Sequence, residues 1–336
     1  MNSAAGRAPT SADVARLARV SRSTVSLVVN DVPNSRIAPS TRERVLAAVR
    51  ELGYAPNVSA RQLRAGTSRL VVMPLPELPL GPIIDATIEH LSDKLRADGL
   101  TLLVHGDRGT TGMAAARMWA ELHPAAVLVT ADRCTKSSVA LLRRAGTEVL
   151  MISSGPTPWA DTLEFDQGRI GAEAAAHLLA VGHRRLAAII PAGPLEGLGR
   201  ARAEGLENAA RAAGARGEEI TMEATHESAA SAAATVRRPG GPTAVFTYND
   251  EYGALLHRAL NDQGATIPGD VALVGADNLA IATFLRPMLS SVALDPVEIA
   301  DHLCVAVRSV LERPARTESV VAGVLATPFL VRRETS

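Results

Sequence analysis

The sequence predicts an α/β protein in which a helix-turn-helix head and a short hinge precede a core of two parallel α/β subdomains. Three observations predict this class. Two short helical patterns stand close together near the N-terminus, apolar runs alternate with helical stretches from residue 68 onward, and that alternation restarts near the middle of the chain. Alternating strands and helices build parallel sheets. Of the 336 residues, 47% are hydrophobic and only 3% are aromatic, which predicts an aliphatic core.

The head begins with two short helices. Thr10 can cap the first, whose apolar positions Val14 and Ala18 share one face. The second begins at Ser21, after only two or three residues. Helices joined by so tight a turn form a helix-turn-helix, which presents the outer face of its second helix to the major groove of DNA. On that face lie Ser21, Arg22, Ser23, Thr24 and Ser26.

A third helix and a hinge complete the N-terminal region. The third helix, residues 40–52, is expected to complete a small core with Val45, Leu46, Val49 and Leu52. Asn57 can cap a hinge helix of only two turns, which is marginal alone in water. That helix carries arginines beside Leu63, a composition suited to folding against a minor groove with the leucine as a wedge between base steps. A flexible linker is the alternative interpretation.

Charge is unevenly distributed along the chain. The 35 basic and 35 acidic residues cancel, but residues 1–68 hold ten arginines against four acidic residues. A basic head on an acidic body predicts an N-terminal segment that contacts phosphate groups while the remainder has a different task. A basic segment without any target is the alternative.

The core is predicted to contain two lobes. Strands are expected near 70–73, 100–104, 125–129 and 149–152 in the first lobe, and near 186–190, 244–247 and 271–274 in the second. Two tail strands, 291–294 and 320–325, are expected to return through the lobes. The predicted domains are a head (1–56), a hinge (57–67) and a core (68–336), with lobe one about 68–158 plus 291–319 and lobe two about 159–290 plus 320–333. A cleft between two lobes suits a small ligand.

Several classes of function lack their sequence signals. No run of about 18 apolar residues occurs and no export signal stands at the N-terminus, so we expect a cytoplasmic protein. Cys134 and Cys304 stand far apart without Cys or His at ligand spacing, which predicts reduced thiols and no metal site. Motifs for dinucleotides, phosphoryl transfer, acyl transfer and zinc proteases are absent, so we expect neither an enzyme nor a cofactor.

Three stretches carry a family resemblance. In chain order, ADVARLARVSRSTVSLVVND, STRERVLAAVRELGYAPN and SARQLRAGTSR resemble the DNA-binding head and hinge of the lactose-repressor (LacI/GalR) family of bacterial transcription regulators. The resemblance implies that Arg22 and Ser23 face base edges and that Leu63 enters the minor groove at the operator centre. It further implies phosphate contacts from Ser21, Thr24, Ser26, Asn30, Tyr54 and Asn57.

The resemblance continues through the core. The stretches DQGRIGAEAAAHLLAVGHRRLAAI, AVFTYNDEYGALLHRAL and IPGDVALVGADNLAIATFLRPMLSSV are similar to the family's effector-binding core, which is periplasmic-binding-protein-like. By position, Arg202, Asn249 and Asp277 match places where the family holds its ligand, and an arginine with polar acceptors suits hydroxyls, a carboxylate or a phosphate. Two further candidates have an alternative role: Asp166 as a helix cap and Trp159 as packing.

Three positions depart from the family pattern. Leu27 stands where the family commonly has arginine, and it offers only apolar contact to a thymine methyl. Arg19 occupies the tight turn where glycine is usual, and a positive φ there costs about 1 kcal/mol. After the first strand, PLPELPLGPIID carries no aromatic residue. A carbohydrate effector is therefore only the default expectation, and a smaller, acidic or unusually apolar effector, or no effector at all, stays open.

The resemblance also implies the partners. We expect a homodimer that binds a palindromic operator and a small-molecule effector, by default a sugar or related metabolite, that changes the separation of the hinges. The sequence does not indicate whether the ligand relieves or assists repression; relief is the commoner arrangement in the family, while ligand-assisted repression also occurs. No heptad pattern follows Arg333, which favours a dimer over a tetramer. A stand-alone solute-binding protein would explain the two lobes but not residues 10–66.

Overall fold

The computed structural model describes residues 9–29, 37–54, 68–76, 81–153, 155, 157–312 and 322–336. The chain forms two compact units, residues 1–68 and 69–336. The predicted α/β class, with a helical head and two sheets in the core, is confirmed. Three residues with predicted DNA contacts, Asn30, Asn57 and Leu63, lie outside the described residues.

The head is a bundle of three helices: α1 (Ser11–Ala18), α2 (Arg22–Val29) and α3 (Pro39–Leu52). Its core consists of Val14, Val25, Val28 and Val45, each at most 2% exposed, with three alanines beside them. The expected core position Leu46 is wrong. It is 36% exposed, and Ala48 takes the inward position instead, because Ala48 lies three residues after Val45 on the same face of α3.

The turn between α1 and α2 contains Arg19 in the left-handed conformation, with φ 54° and ψ 50°. The Arg19 N–H donates to the carbonyl of Arg16, and the Val20 N–H donates to that of Ala15. These bonds satisfy carbonyls that the end of α1 leaves without a partner in the helix. The backbone of Arg19 thus keeps the positive φ for which glycine is usual, and the turn is not altered to avoid it.

The second unit holds two sheets, each six-stranded over the described residues. The first has the order β11-β5-β4-β3-β1-β2, with all neighbours parallel. Its strands are β1 (Leu70–Pro74), β2 (Thr101–His105), β3 (Ala126–Thr130), β4 (Glu148–Ser153), β5 (Asp161–Glu164) and β11 (Ala322–Val324).

The second sheet has the order β12-β10-β9-β8-β6-β7, and only β12 runs antiparallel to its neighbour. Its strands are β6 (Arg185–Pro191), β7 (Arg216–Met222), β8 (Ala244–Thr247), β9 (Ala272–Ala276), β10 (Ser290–Ala293) and β12 (Phe329–Val331).

Helices connect the strands and bury their apolar faces on the sheets. In chain order they are α4 (Pro82–Ala97), α5 (Gly112–Glu121), α6 (Lys136–Arg144), α7 (Gln167–Ala180), α8 (Glu196–Ala212), α9 (His226–Val236), α10 (Asp250–Asp262), α11 (Ile281–Phe284) and α12 (Pro296–Glu312). Helix α12 packs on α4 and belongs to the first lobe, whereas α7 and α8 pack closely against each other in the second.

The strand pairing corrects the expected lobe limits. The tail strand expected at 291–294 pairs with β9 and therefore lies in the second lobe, not the first. The one expected at 320–325 is β11, which pairs with β5 in the first lobe, not the second. The first crossing follows β5 rather than residues 155–158, because β5 still pairs with β4.

The chain crosses between the lobes three times, always at the carboxyl end of a strand. Residues 165–166 follow β5, residues 294–295 follow β10, and residues 325–328 follow β11. A backbone hydrogen bond links the first and third crossings: the Leu325 N–H donates to the Glu164 carbonyl at 2.8 Å. The carboxyl edges of both sheets therefore meet at the crossings, and such edges are where open α/β sheets bind ligands.

Candidate functional site

The first candidate site is the outward face of α2. Ser21, Arg22, Ser23 and Leu27 are exposed, whereas Val25 and Val28 of the same helix are buried in the head core. Apolar residues on one face and exposed polar residues on the other leave α2 free to present the outer face to a partner. The helix thus offers a guanidinium, hydroxyls and one aliphatic side chain together.

Hydroxyl groups cluster at the start of α2. The Ser21 Oγ accepts from the Thr24 N–H at 3.1 Å and lies 2.7 Å from the Ser23 Oγ and 2.8 Å from the Thr24 Oγ1. Ser21 therefore caps the helix, and its hydroxyl already has protein partners. Ser26 and Tyr54 are half-buried, and Tyr54 packs against the head core. Their predicted phosphate contacts stay predictions.

The second candidate site centres on Arg202 at the carboxyl edge of the second sheet. The residue is 5% exposed. Its Nε donates to the Gln167 Oε1 at 2.9 Å, its Nη1 to the Tyr248 carbonyl at 2.5 Å, and its Nη2 to the Asp277 Oδ1 at 3.3 Å. The guanidinium carbon also lies 4.6 Å from the centre of the Tyr248 ring. The structure brings two predicted residues, Arg202 and Asp277, together.

The loop that presents Asp277 is held in an unusual backbone conformation. Asp277 and Asn278 have φ values of 82° and 49°, the left-handed region that residues other than glycine rarely adopt. The Asn278 N–H donates to the Ser291 Oγ at 3.0 Å, and the Leu279 N–H donates to the Asp250 Oδ2 at 2.6 Å. Such strain persists where the surroundings enforce it, and it clusters at ligand sites.

Asp250 is the buried carboxyl beneath this loop. It is fully buried, and a Cβ added at Gly275 would lie 2.0 Å from its Oδ1. Burial raises the pKa of Asp250 to about 7, against the lowering effect of its hydrogen bonds from Ser291 and Leu279. Near neutral pH the carboxyl is therefore divided between its protonated and ionised forms.

Three other predicted effector residues have structural roles. Asn249 caps α10, because its Oδ1 accepts from the Glu251 and Tyr252 N–H groups at 3.1 Å each. Asp166 caps α7 by accepting from the Arg169 N–H at 3.2 Å. Trp159 packs against an aliphatic cluster of the first lobe. Effector contacts by Asn249, Asp166 and Trp159 stay predictions.

The carboxyl edge of the first sheet is organised by Arg133, which the sequence did not single out. The side chain is fully buried and donates to the carbonyls of Leu75, Asp107 and Thr110. Its Nη2 lies 3.0 Å from the Asp107 Oδ2, which also accepts from the Trp119 Nε1 at 2.7 Å. The guanidinium carbon stands 5.4 Å from the centre of the Trp119 ring.

Within this cluster, the charges of Arg133 and Asp107 compensate each other. Burial tends to raise the pKa of Asp107, but hydrogen bonds from Trp119, His105 and Arg133 hold it below its ordinary value, so the carboxylate is ionised at neutral pH. A buried arginine and a buried carboxylate compensate each other. No sequence pattern predicts the buried position of Arg133, since most of its acceptors are backbone carbonyls of loops that are distant along the chain.

Together, the helix-turn-helix head and the two-lobed core with a polar cluster at a sheet edge define a transcriptional regulator with a periplasmic-binding-protein-like core. Residues 10–57 match the model of bacterial regulatory proteins of the lacI family, and residues 175–336 match the periplasmic binding protein-like domain. The chain belongs to the lacI family of bacterial regulatory proteins.

Curated relatives span most of the chain. It is 31% identical over 344 residues to the HTH-type transcriptional regulator CelR of Thermobifida fusca, covering 97% of this chain and 98% of that protein. It is 29% identical over 289 residues to the regulator DegA of Bacillus subtilis, covering 84% and 85%. The ribose operon repressor of Escherichia coli is 26% identical and covers 96% of this chain and 98% of its own length.

Solved structures of similar fold also cover the chain. A lac repressor dimer bound to operator and the anti-inducer ONPF matches with a TM-score of 0.79 at 23% identity, over 98% of this chain and 99% of that one. A CelR–cellobiose complex matches with a TM-score of 0.64 at 26% identity, over 98% and 100%. Among the described residues of the present chain, no helix is long and apolar enough to cross a membrane.

Proposed function

We propose that this chain is a repressor that binds a palindromic operator as a homodimer and that a small molecule, held around Arg202 and Asp277, modulates the binding. The Arg202–Asp277 ion pair at the carboxyl edge of the second sheet carries the effector part of the proposal. A buried arginine beside a partly exposed carboxylate, in a strained loop, is the arrangement expected of a ligand site.

The ion pairs at the carboxyl edges of the two sheets narrow the chemical class of the proposed effector. Asp277 compensates the charge of Arg202, and Asp107 compensates that of Arg133, so neither of these two arginines has an unbalanced charge. Hydroxyl and carbonyl groups of a neutral ligand satisfy such a compensated pair without burying a further charge. The CelR–cellobiose complex has this fold. We therefore propose a neutral polyhydroxylated metabolite, with a sugar as the default.

The mechanism couples the lobes to the heads. Two linked heads bind DNA far more tightly than one, because the second contact is intramolecular, and the gain depends on how far apart the cores hold the heads. A ligand that favours one arrangement of the lobes changes that separation. The coupling is reciprocal, so DNA changes ligand affinity by the same factor.

Operator binding is tested first with the purified full chain and genomic fragments, by fluorescence anisotropy over increasing salt. We expect selective binding whose affinity falls steeply from 50 to 200 mM salt, because phosphate contacts release counterions. A flat salt response contradicts a phosphate-dominated interface. Leu63→Ala is expected to weaken operator binding while sedimentation still reports a dimer; normal affinity of that variant contradicts the wedge.

The effector site is tested by screening sugars, nucleosides and small carboxylates for a thermal shift of the full chain. A ligand found in this way should change DNA binding of the wild-type protein but not of Arg202→Ala or the milder Asp277→Asn. Arg200→Ala is the matched control, since Arg200 lies on the same helix but is exposed and paired with glutamates. An unaltered response in both site variants places the effector elsewhere.

A stand-alone solute-binding protein is the second candidate function, and the two lobes alone would fit it. The match of residues 10–57 to the lacI head supports the regulator instead. Failure of the full chain to bind any genomic fragment, with and without ligands, favours the solute-binding alternative.

A further inference from the structure

We infer that Leu27 is a specificity-determining residue that contacts the methyl group of one thymine in each half of the operator. The inference rests on the proposed operator binding and adds to it which base the helix recognises. It starts from the composition of the outward face of α2, where one aliphatic side chain stands among polar ones.

Leu27 lies outside the apolar core of the head. It is 38% exposed, while Val25 and Val28 on either side of it are at most 2% exposed and fill the core. The apolar cluster of the head, over the described residues, does not include Leu27. The exposed part of the Leu27 side chain adds nothing to the stability of the head, because that apolar surface stays in contact with water.

The position of Leu27 on the helix is that of a base-reading residue. Residues 22, 23, 26 and 27 lie on one side of α2, since successive residues turn by about 100° and the buried valines occupy the opposite side. Arg22, Ser23 and Leu27 of this set are exposed. A second helix of a helix-turn-helix lies in the major groove with this side toward the base edges.

The chemistry of the leucine side chain selects thymine. Among the four base pairs, only those with thymine present a methyl group in the major groove; the other edges there present hydrogen-bond donors and acceptors, which leucine cannot satisfy. Arg22 supplies the complementary reading, since a guanidinium donates two hydrogen bonds to guanine. The outward face therefore predicts a mixed half-site containing a guanine and a thymine.

The helix geometry sets the distance between these bases. Leu27 lies five positions after Arg22, which is about 7.5 Å along the helix axis, or about two base-pair steps for a helix lying along the groove. Ser23 stands between them and has a short hydroxyl side chain that fits either base edge. The thymine is therefore expected about two base pairs from the guanine that Arg22 reads.

The experiment removes the methyl group alone. The full chain selects its consensus site from a random DNA pool, and each thymine of that site is then replaced symmetrically by deoxyuridine. We expect one position at which wild-type affinity falls about fourfold per half-site, hence about fifteenfold for both, because a buried methyl contact is lost. At that position, Leu27→Ala should bind the thymine and deoxyuridine sites equally.

Two further variants make the test specific. Leu46→Ala is the matched control, since Leu46 is 36% exposed in the same head but lies on α3; it should keep the sensitivity to deoxyuridine. Leu27→Arg should exchange thymine for guanine in its selected consensus. The inference is overturned if no thymine methyl matters, or if Leu27→Ala keeps the wild-type sensitivity. A pool that yields no consensus at all overturns the proposed operator binding as well.

Discussion

Helices α7 and α8 cross closely beside Arg202. The variant Gly171→Ala tests how strongly the stability of the fold depends on this close crossing. A Cβ at Gly171 would lie 1.7 Å from the carbonyl oxygen of Arg202 and 3.1 Å from the amide nitrogen of Leu206. The obstructing atoms are backbone, so no rotamer change relieves the overlap. The added Cβ and the Arg202 carbonyl oxygen must move apart by about 2 Å to reach an ordinary contact distance, which is about 3.5 Å.

The magnitude follows from two opposing terms. Alanine in a helix interior is favoured over glycine by about 1 kcal/mol. Overpacking a tight core contact costs about 1–3 kcal/mol or more, and a clash with backbone lies at the upper end. Separation would also uncover apolar side chains that are fully buried between the helices, Ala174, Leu178 and Leu206 among them. We expect a net loss of about 2 kcal/mol or more in the free energy of unfolding.

The assay is urea denaturation of the full chain followed by far-ultraviolet circular dichroism. Gly197→Ala is the control, because Gly197 lies on α8 with no atom within 4 Å of its added Cβ. That variant should keep or slightly raise the unfolding midpoint, while Gly171→Ala lowers it. Equal stability of Gly171→Ala and wild type would refute the reasoning, as would a parallel shift of both variants.

Three further predictions concern single buried or strained groups. Asp250→Asn should remove a pH dependence of stability, because the pKa of Asp250 in the folded state, about 7, exceeds its ordinary value of 3.8 and the folded state therefore retains the proton. The free energy of unfolding of the wild type should then fall by about 2–3 kcal/mol from pH 5 to pH 8. Urea denaturation of the variant over the same pH range should show a nearly constant free energy of unfolding. Arg19→Gly should stabilise the head by about 1 kcal/mol, because glycine adopts the positive φ without strain, and slower amide hydrogen exchange of the head would report the gain. Gly53→Ala should destabilise the head by a similar amount, because it places a Cβ at a φ of 60°, and amide hydrogen exchange should then be faster. Arg133→Met should cost about 3–5 kcal/mol, because it leaves Asp107 as a buried charge without its arginine; a calorimetric melting temperature equal to wild type would contradict this.

Hydrophobic periodicity predicted most of the fold but missed strands that are polar. β7 reads RGEEITM and lies at the edge of its sheet, where one side has no strand neighbour and alternating exposure needs no continuous apolar run. β5 reads DTLE and lies inside its sheet. Its Asp161 is fully buried, and an ion pair with Arg143 at 3.4 Å compensates the charge. A pattern of apolar residues cannot anticipate a buried strand that relies on a distant arginine.

The candidate site was predictable only in part. The family resemblance singled out Arg202 and Asp277 as separate effector candidates, and the structure places the two side chains in contact. The roles of Gln167 and of the Tyr248 carbonyl required coordinates, since a backbone acceptor carries no signature of residue type. The loop geometry of Asn278 was equally hidden, because its positive φ is imposed by residues that are distant in sequence.

The triple crossing between the lobes has a consequence for synthesis of the chain on the ribosome. The first sheet is finished only when β11 (Ala322–Val324) arrives, and the second only when β12 (Phe329–Val331) follows. Neither lobe can complete its hydrogen-bonding pattern from the polypeptide emerged up to residue 321, although most of both is already translated. A stop codon before residue 322 therefore removes a strand from each lobe at once, whereas the three helices of the head, which end at Leu52, are already translated.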